Sequence, residues 1–170
     1  GGKVEVDKNK AVVSVRFNWG ISWAWARGRP LGDPELLHLK GLTKLERLEL
    51  PYAKVTDAGL IHLRELVDLK ILNLNNTEVT GAGLTHLKEM MKLELLGLWN
   101  TGVTDAGLEH LKGLTKLQYL GLSDTEVTDA GLIHLEGLTN LQSLSLGGTK
   151  VTGDGCKQLQ QALPNCKIDH

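Results

Sequence analysis

Cysteine, basic surplus and long apolar runs are all scarce in this chain. Of 170 residues only two are cysteine, and 19 Lys+Arg stand against 20 Asp+Glu for a formal charge of −1. Cys156 and Cys166 are too few for a disulfide framework or a zinc quartet. They are expected as two buried thiols acting as small hydrophobes, with a disulfide the less favoured alternative. A near-zero net charge provides no summed field for a phosphate backbone or an anionic membrane surface, so nucleic acid is disfavoured as a partner.

No apolar run reaches the ~18 residues of a membrane-spanning helix, and no basic segment followed by an apolar one opens the chain. A soluble single domain with a substantial core is therefore expected, without membrane insertion. The start at Gly1-Gly2 without methionine fits a mature or excised fragment. Secretion or cell-envelope exposure would follow if a signal had been removed, and the compartment is otherwise unknown. No G-x-x-x-x-G-K-S/T loop is present, and Ser14, Ser143 and Ser145 have no histidine in a matching strand position to serve as a base. Catalysis is unsupported, and no cofactor or metal is implied.

What the chain has is leucine, 34 residues of it, in a fixed rhythm. The nine residues VTDAGLIHL occur at 55–63 and again at 127–135, three periods of 24 apart. One period runs Leu45-x-x-Leu48-x-Leu50, Ala53-x-Val55-Thr56-Asp57-Ala58-Gly59-Leu60, then Leu63 and Leu66, and the frame reopens at Leu69, Leu93, Leu117 and Leu141. In Leu48-x-Leu50 apolar residues alternate, as a strand with one buried face requires, while Leu60 and Leu63 lie one helical turn apart. Each unit therefore reads as a strand followed by a helix. A single unit cannot bury its own leucines, so units stack with like strands parallel. Thr56 and Asp57 are expected to cap the helix start, and Asp105 and Asp129 likewise. Gly59 is expected to let the first turn approach its neighbour closely.

The run L-x-x-L-x-L-x-x-T-x-V-T-D-A-G-L-x-x-L-x-x-L resembles the leucine-rich repeat family, specifically the bacterial type with 24-residue T-D-A-G-L repeats, over residues 31–168. The resemblance implies an α/β solenoid: a curved horseshoe with parallel strands on the concave face and short helices on the convex one. Where the family usually has Asn or Cys after the strand, this chain has Thr77, Thr101, Thr125 and Thr149, with Ala53 in the first full copy. A threonine hydroxyl could bond loop backbone in a ladder between repeats, a ladder that Ala53 would interrupt.

One domain over 1–170 is expected, divided into an N-terminal cap with a degenerate repeat (1–44), five repeats (45–165) and a C-terminal cap (166–170). Val4 and Val6 fit an added edge strand. Val12, Val15 and Phe17 fit a first repeat strand, and Asp33-Pro34 fits a helix start. Between them an insertion of about nine residues carries Trp19, Trp23 and Trp25 with Arg27 and Arg29. It reads first as a hydrophobic lid on the first repeat and second as a partner-binding loop. At the far end Leu163-Pro164 stops a helix, and residues 166–168 fit a last strand.

His38, His62, His86, His110 and His134 also recur every 24 residues. Helices pack about 8–10 Å apart, too far for a ladder of zinc ligands about 2.1 Å from each metal, so packing between helices is expected of that column. The same width, set against about 4.8 Å between strands, bends the stack with strands inside. Strand alternation then turns four columns toward the concave face. They read Ser14, Arg47, Ile71, Leu95, Tyr119, Ser143; Arg16, Glu49, Asn73, Gly97, Gly121, Ser145; Asn18, Pro51, Asn75, Trp99, Ser123, Gly147; and Trp19, Tyr52, Asn76, Asn100, Asp124, Gly148.

These columns are free of the packing repeat. Ile71, Leu95, Trp99 and Tyr119 form an apolar centre beside a hollow at Gly97 and Gly121, and asparagines with Asp124 form a polar border. Arg47 and Glu49 add orienting charge. The expected partner contacts are Arg47, Glu49, Tyr52, Ile71, Asn73, Leu95, Trp99 and Tyr119, with Trp23 and Trp25 on the insertion. A non-enzymatic protein- or peptide-binding scaffold is the leading expectation. A cell-wall glycan-binding module and a passive spacer in a larger envelope protein are the alternatives.

Overall fold

The computed structural model describes residues 2–7, 12–17 and 31–170. Among the described residues eight strands form one sheet in chain order: β1 (Gly2–Val6), β2 (Val12–Phe17), β3 (Arg47–Glu49), β4 (Ile71–Asn73), β5 (Leu95–Gly97), β6 (Tyr119–Gly121), β7 (Ser143–Ser145) and β8 (Lys167–Asp169). β1 pairs antiparallel with β2, and every later pair is parallel. Arg47 stands opposite Ile71, Ile71 opposite Leu95 and Leu95 opposite Tyr119, so successive partners lie 24 positions apart.

That register follows from the leucines. Leu48, Leu72, Leu96, Leu120 and Leu144 occupy the middle of their strands and are buried, as are Leu50, Leu74, Leu98, Leu122 and Leu146 just after them. Val55, Val79, Val103, Val127 and Val151 close the same interior from the turns. Slipping any strand by one residue would turn its leucine to water, losing about 2–3 kcal/mol each time.

The other half of each unit is a short helical segment, as expected. Single α-turns α1 (Asp33–Leu36), α2 (Asp57–Leu60), α3 (Asp105–Leu108) and α4 (Asp129–Leu132) stand there, and only α5 (Gly153–Ala162) reaches ten residues. Three of them tighten into 3-10 turns at Leu37–Leu39, Ile61–Leu63 and Glu109–Leu111. The unit holding Gly81 in place of the aspartate has no α-turn at all, only the 3-10 segment Gly83–Leu87. Pro164 follows the end of α5, and β8 closes the stack.

Two expectations about the turns are corrected. The aspartates do not cap their own turns. Asp57 instead accepts from the backbone N–H (2.7 Å) and hydroxyl (2.6 Å) of Thr80 in the next unit. The Asp33–Thr56, Asp105–Thr128 and Asp129–Thr152 pairs repeat the arrangement. Caps come from threonine, with Thr56 and Thr128 accepting from the N–H two residues on.

The glycines of the T-D-A-G-L units have their reason here, except that Gly107 meets the Gly81 backbone, a Cβ there falling 2.4 Å from Gly81 Cα, where the preceding unit lacks the aspartate. A Cβ on Gly59 would fall 2.2 Å from Asp33 Oδ1, and on Gly131 2.4 Å from Asp105 Oδ1. Close approach of the turns was expected, and the carboxylate of the preceding unit is what demands it.

The buried threonines do not form a ladder between repeats either. Thr77, Thr101 and Thr125 each donate to the carbonyl three residues back, at 2.7, 2.6 and 2.6 Å. Backbone carries the inter-unit ladder, and it continues past Ala53 through Leu50 N–H to Asn73 O (2.8 Å) and Tyr52 N–H to Asn75 O (2.9 Å). No interruption occurs there, because the ladder needs no side chain.

Both thiols are free; Cys166 is buried and Cys156 half-buried. Loss of solvation on burial pushes both above the ordinary thiol value. Among the described residues no helix is long and apolar enough to cross a membrane.

Candidate functional site

The register sets the non-core columns side by side on the open face of the sheet. Arg47, Ile71, Leu95, Tyr119 and Ser143 run across it in order, and Glu49, Asn73, Gly97, Gly121 and Ser145 run beside them. Ser14 departs from the expected exposure: it aligns with Arg47 yet is only 4% exposed.

The first rows carry charge already paired. Glu49 Oε1 lies 2.6 Å from Arg47 Nε and 3.2 Å from Arg16 Nε. Beyond Asn73 the face becomes more apolar around a cleft with no charged residue in its lining, with the Asp124 carboxylate beside it. Trp99, 38% exposed, and Tyr119, 46% exposed, are its largest features there. Together with Leu95 and Gly121 they line a cleft of about 420 Å³, and Ser123, Ser143 and Ser145 bring hydroxyls to the same cleft. Sequence reasoning placed these serines in the right columns without assigning them to the site. Three hydroxyl residues beside an aromatic pair were the available signal.

The asparagines do more than border this cleft. Asn73 Oδ1 accepts from the Asn75 N–H at 3.0 Å, and Asn75 Oδ1 accepts from the Trp99 N–H at 2.9 Å. The Asn75 carboxamide lies over Gly97, where a Cβ would meet its oxygen at 2.7 Å. Gly97 is therefore roofed and buried, and the expected hollow is open only at Gly121, whose Cβ would find nothing nearer than 3.9 Å.

Tyr52, Asn76, Asn100 and Asp124 share one column and one conformation, with φ of 62°, 57°, 51° and 54°. This is the left-handed region, which asparagine and aspartate enter with little penalty and tyrosine does not. Asn76, Asn100 and Asp124 are thus turn-forming residues as well as face residues. Asn100 Nδ2 donates to Asn76 Oδ1 at 2.8 Å, and the Trp99 indole N–H donates to Asp124 Oδ2 at 2.5 Å. The indole is held by its polar end while its body lies beside the cleft. Tyr119 Oη lies 3.3 Å from Gln142 Oε1, a longer and weaker tether.

The structure thus gathers Ile71, Leu95, Trp99 and Tyr119 on one face, with Asn73 beside them. Arg47 and Glu49 stand at its charged end, and Tyr52 projects from the turn after β3. Trp23 and Trp25, with Trp19, Arg27 and Arg29, lie outside the described residues. The histidine column sits on the far side, in or beside the 3-10 segments. Among the described residues no cluster of three or more His, Cys, Asp or Glu is placed to hold a metal ion.

A family model described as Leucine Rich repeat matches residues 113–135 and 137–159. No curated protein matches this chain in sequence. Among solved structures, an internalin (inlF) from Listeria monocytogenes str. 4b F2365 is 23% identical with a TM-score of 0.66, covering 75% of this chain and 35% of its own. An internalin C2 from the same strain is also 23% identical at 0.66, covering 92% and 70%. The plant peptide hormone receptor RGFR1, solved in complex with RGF2, is 14% identical with a TM-score of 0.64, covering 98% of this chain and 28% of that one. This chain spans about a third of the length of the first of these. At such identities the likeness is one of fold.

Proposed function

We propose that this chain, with its leucine-rich repeat fold, is a non-enzymatic recognition module binding a protein or peptide on the open face of its sheet. One observation carries the reading: Trp99 and Tyr119 are exposed beside a neutral cleft, in columns where nothing in the packing asks for an aromatic ring. Large aromatic anchors with an apolar centre and polar surroundings are what interfaces use. Ile71 and Leu95 extend the apolar centre, while Asn73, Tyr52, Arg47 and Glu49 form the polar and charged approach. The fold itself commonly mediates protein binding, and one solved relative is a peptide hormone receptor in complex with RGF2.

A neutral glycan is the second reading, favoured by Ser123, Ser143 and Ser145 placing hydroxyls beside two aromatic rings that could stack on a sugar. Selection of a random-peptide phage library and a screen of soluble cell-wall oligosaccharides separate the two. Peptide clones that bind the wild type and not Trp99→Ala support the first reading, and oligosaccharides with the same dependence support the second. Absence of both leaves the chain a passive spacer.

A further inference from the structure

Among the described residues the first strand has an open edge. β1 pairs with β2 on one side, and among the described residues no strand pairs with the other. Its sequence from Gly2 is Gly-Lys-Val-Glu-Val, with Val4 60% and Val6 58% exposed. Val4 stands opposite Val15, which is 4% exposed, so Val4 belongs to the core side of the sheet, and it is not buried by the described residues. Lys3 and Glu5 stand opposite Arg16 and Ser14, on the open face, and form an ion pair of 2.7 Å along the strand.

Proteins usually protect such an edge with like charge, proline or a bulge. Here the charges are of opposite sign, no proline is present, and the bulge lies only at the far end, between Glu5 and Val6.

We propose that the outer edge of β1 pairs antiparallel with β1 of a second copy of this chain, about a two-fold axis normal to the sheet at Val4. In that register Lys3 of each copy stands opposite Glu5 of the other, Val4 opposite Val4, and Gly2 opposite Val6. Neighbouring registers are excluded by the same five residues. Moving the centre to Lys3 or to Glu5 sets like charges face to face, and a shift of one residue pairs Val4 with a charged residue on the polar face.

Only the register centred on Val4 is complementary in both charge and apolar character. The contact is isologous, as closed dimers require. Lys3 also holds the Glu5 carboxyl below its ordinary value, so the charge pattern persists into mildly acidic solution.

The pairing is independent of the proposed ligand site, yet it has a consequence for that site. An axis normal to the sheet leaves both open faces on one side. Nine strand spacings of about 4.8 Å would then separate the two β5 strands, which lead into Trp99, by roughly 43 Å on an untwisted sheet. A ligand with two epitopes at that distance would be held by both copies.

A five-residue ribbon is a small interface, so the dimer is expected to be weak and concentration-dependent. Sedimentation equilibrium should show the mass rising from the 18.5 kDa of one chain toward twice that value as concentration increases. Glu5→Lys and Lys3→Glu each place like charges across the axis and should weaken self-association by about tenfold or more. Both substitutions are at surface positions, and circular dichroism confirms that each variant remains folded. An equimolar mixture of the two should associate again, because a Lys-Lys edge then faces a Glu-Glu edge. A wild type that stays at the mass of one chain throughout overturns the proposal, as do variants that dimerise unchanged or a mixture that does not associate.

Discussion

The indole N–H of Trp99 donates to the carboxylate of Asp124 at 2.5 Å, across one repeat of the open face. Asp124 also sits at φ 54°, so its backbone and side chain answer two separate demands. Asp124→Gly keeps the left-handed turn and removes only the acceptor. The Trp99 indole N–H resonance should shift, its exchange with solvent should accelerate, and about 1 kcal/mol of stability should be lost. An unchanged indole resonance would show that the tether does not hold the ring.

Tyr52 occupies the left-handed position that Asn76, Asn100 and Asp124 fill in later units. Tyrosine is strained there and asparagine is not, so Tyr52→Asn should raise stability by about 1 kcal/mol in urea unfolding. The ring is half exposed and little packing is lost with it. If Tyr52 touches the ligand, the same variant should bind less tightly, so stability and affinity move in opposite directions.

Two glycines of α5 should respond oppositely to alanine. At Gly153 a Cβ meets nothing within 4 Å, and Gly153→Ala should stabilise by about 0.5–1 kcal/mol. At Gly155 it would fall 2.1 Å from Asp129 Oδ1 and 2.5 Å from its Cγ. Gly155→Ala should cost about 1–3 kcal/mol by displacing the carboxylate from Thr152. Thermal melts of the two variants check the contrast.

The inter-unit carboxylates should make the fold sensitive to acid. Asp129 is held below its ordinary 3.8, first by the Thr152 backbone N–H and then by its hydroxyl. Asp68 is held low by Lys92 and then Lys44, which flank it in the units on either side. A folded-state value below the unfolded one means that the folded chain binds fewer protons. The stability these groups contribute is then complete above about pH 5 and lost as pH falls through their folded values. Melting temperature should fall in that window, and Asp129→Asn should flatten the fall.

The leucine rhythm made the register legible, because a period of 24 admits one alignment of strands and every core column follows from it. It also exposed the face columns, since Trp99 and Tyr119 break a pattern that packing would have kept. The aspartates were not legible as bridges. A threonine followed by aspartate at a helix start describes a local cap, and only three dimensions show the Asp57 carboxylate reaching Thr80 of the next unit. A signal was present nonetheless: glycine lies 26 positions after Asp33, Asp57, Asp105 and Asp129, at Gly59, Gly83, Gly131 and Gly155. Likewise Asn76, Asn100, Asp124 and Gly148 form a column of the residues that tolerate positive φ, and that composition pointed to a turn before it pointed to a binding border. Asn75 covering Gly97 had no counterpart in the sequence, since it depends on one side chain folding back over its neighbour.

The most direct test compares binding of library-selected peptides to the wild type and to Trp99→Ala, with Ile133→Ala, exposed and outside the sheet-face columns, as control. A recognition face centred on Trp99 requires affinity to fall by about tenfold or more in Trp99→Ala and to stay unchanged in Ile133→Ala, with both variants folded. Equal affinity of Trp99→Ala and wild type would contradict it.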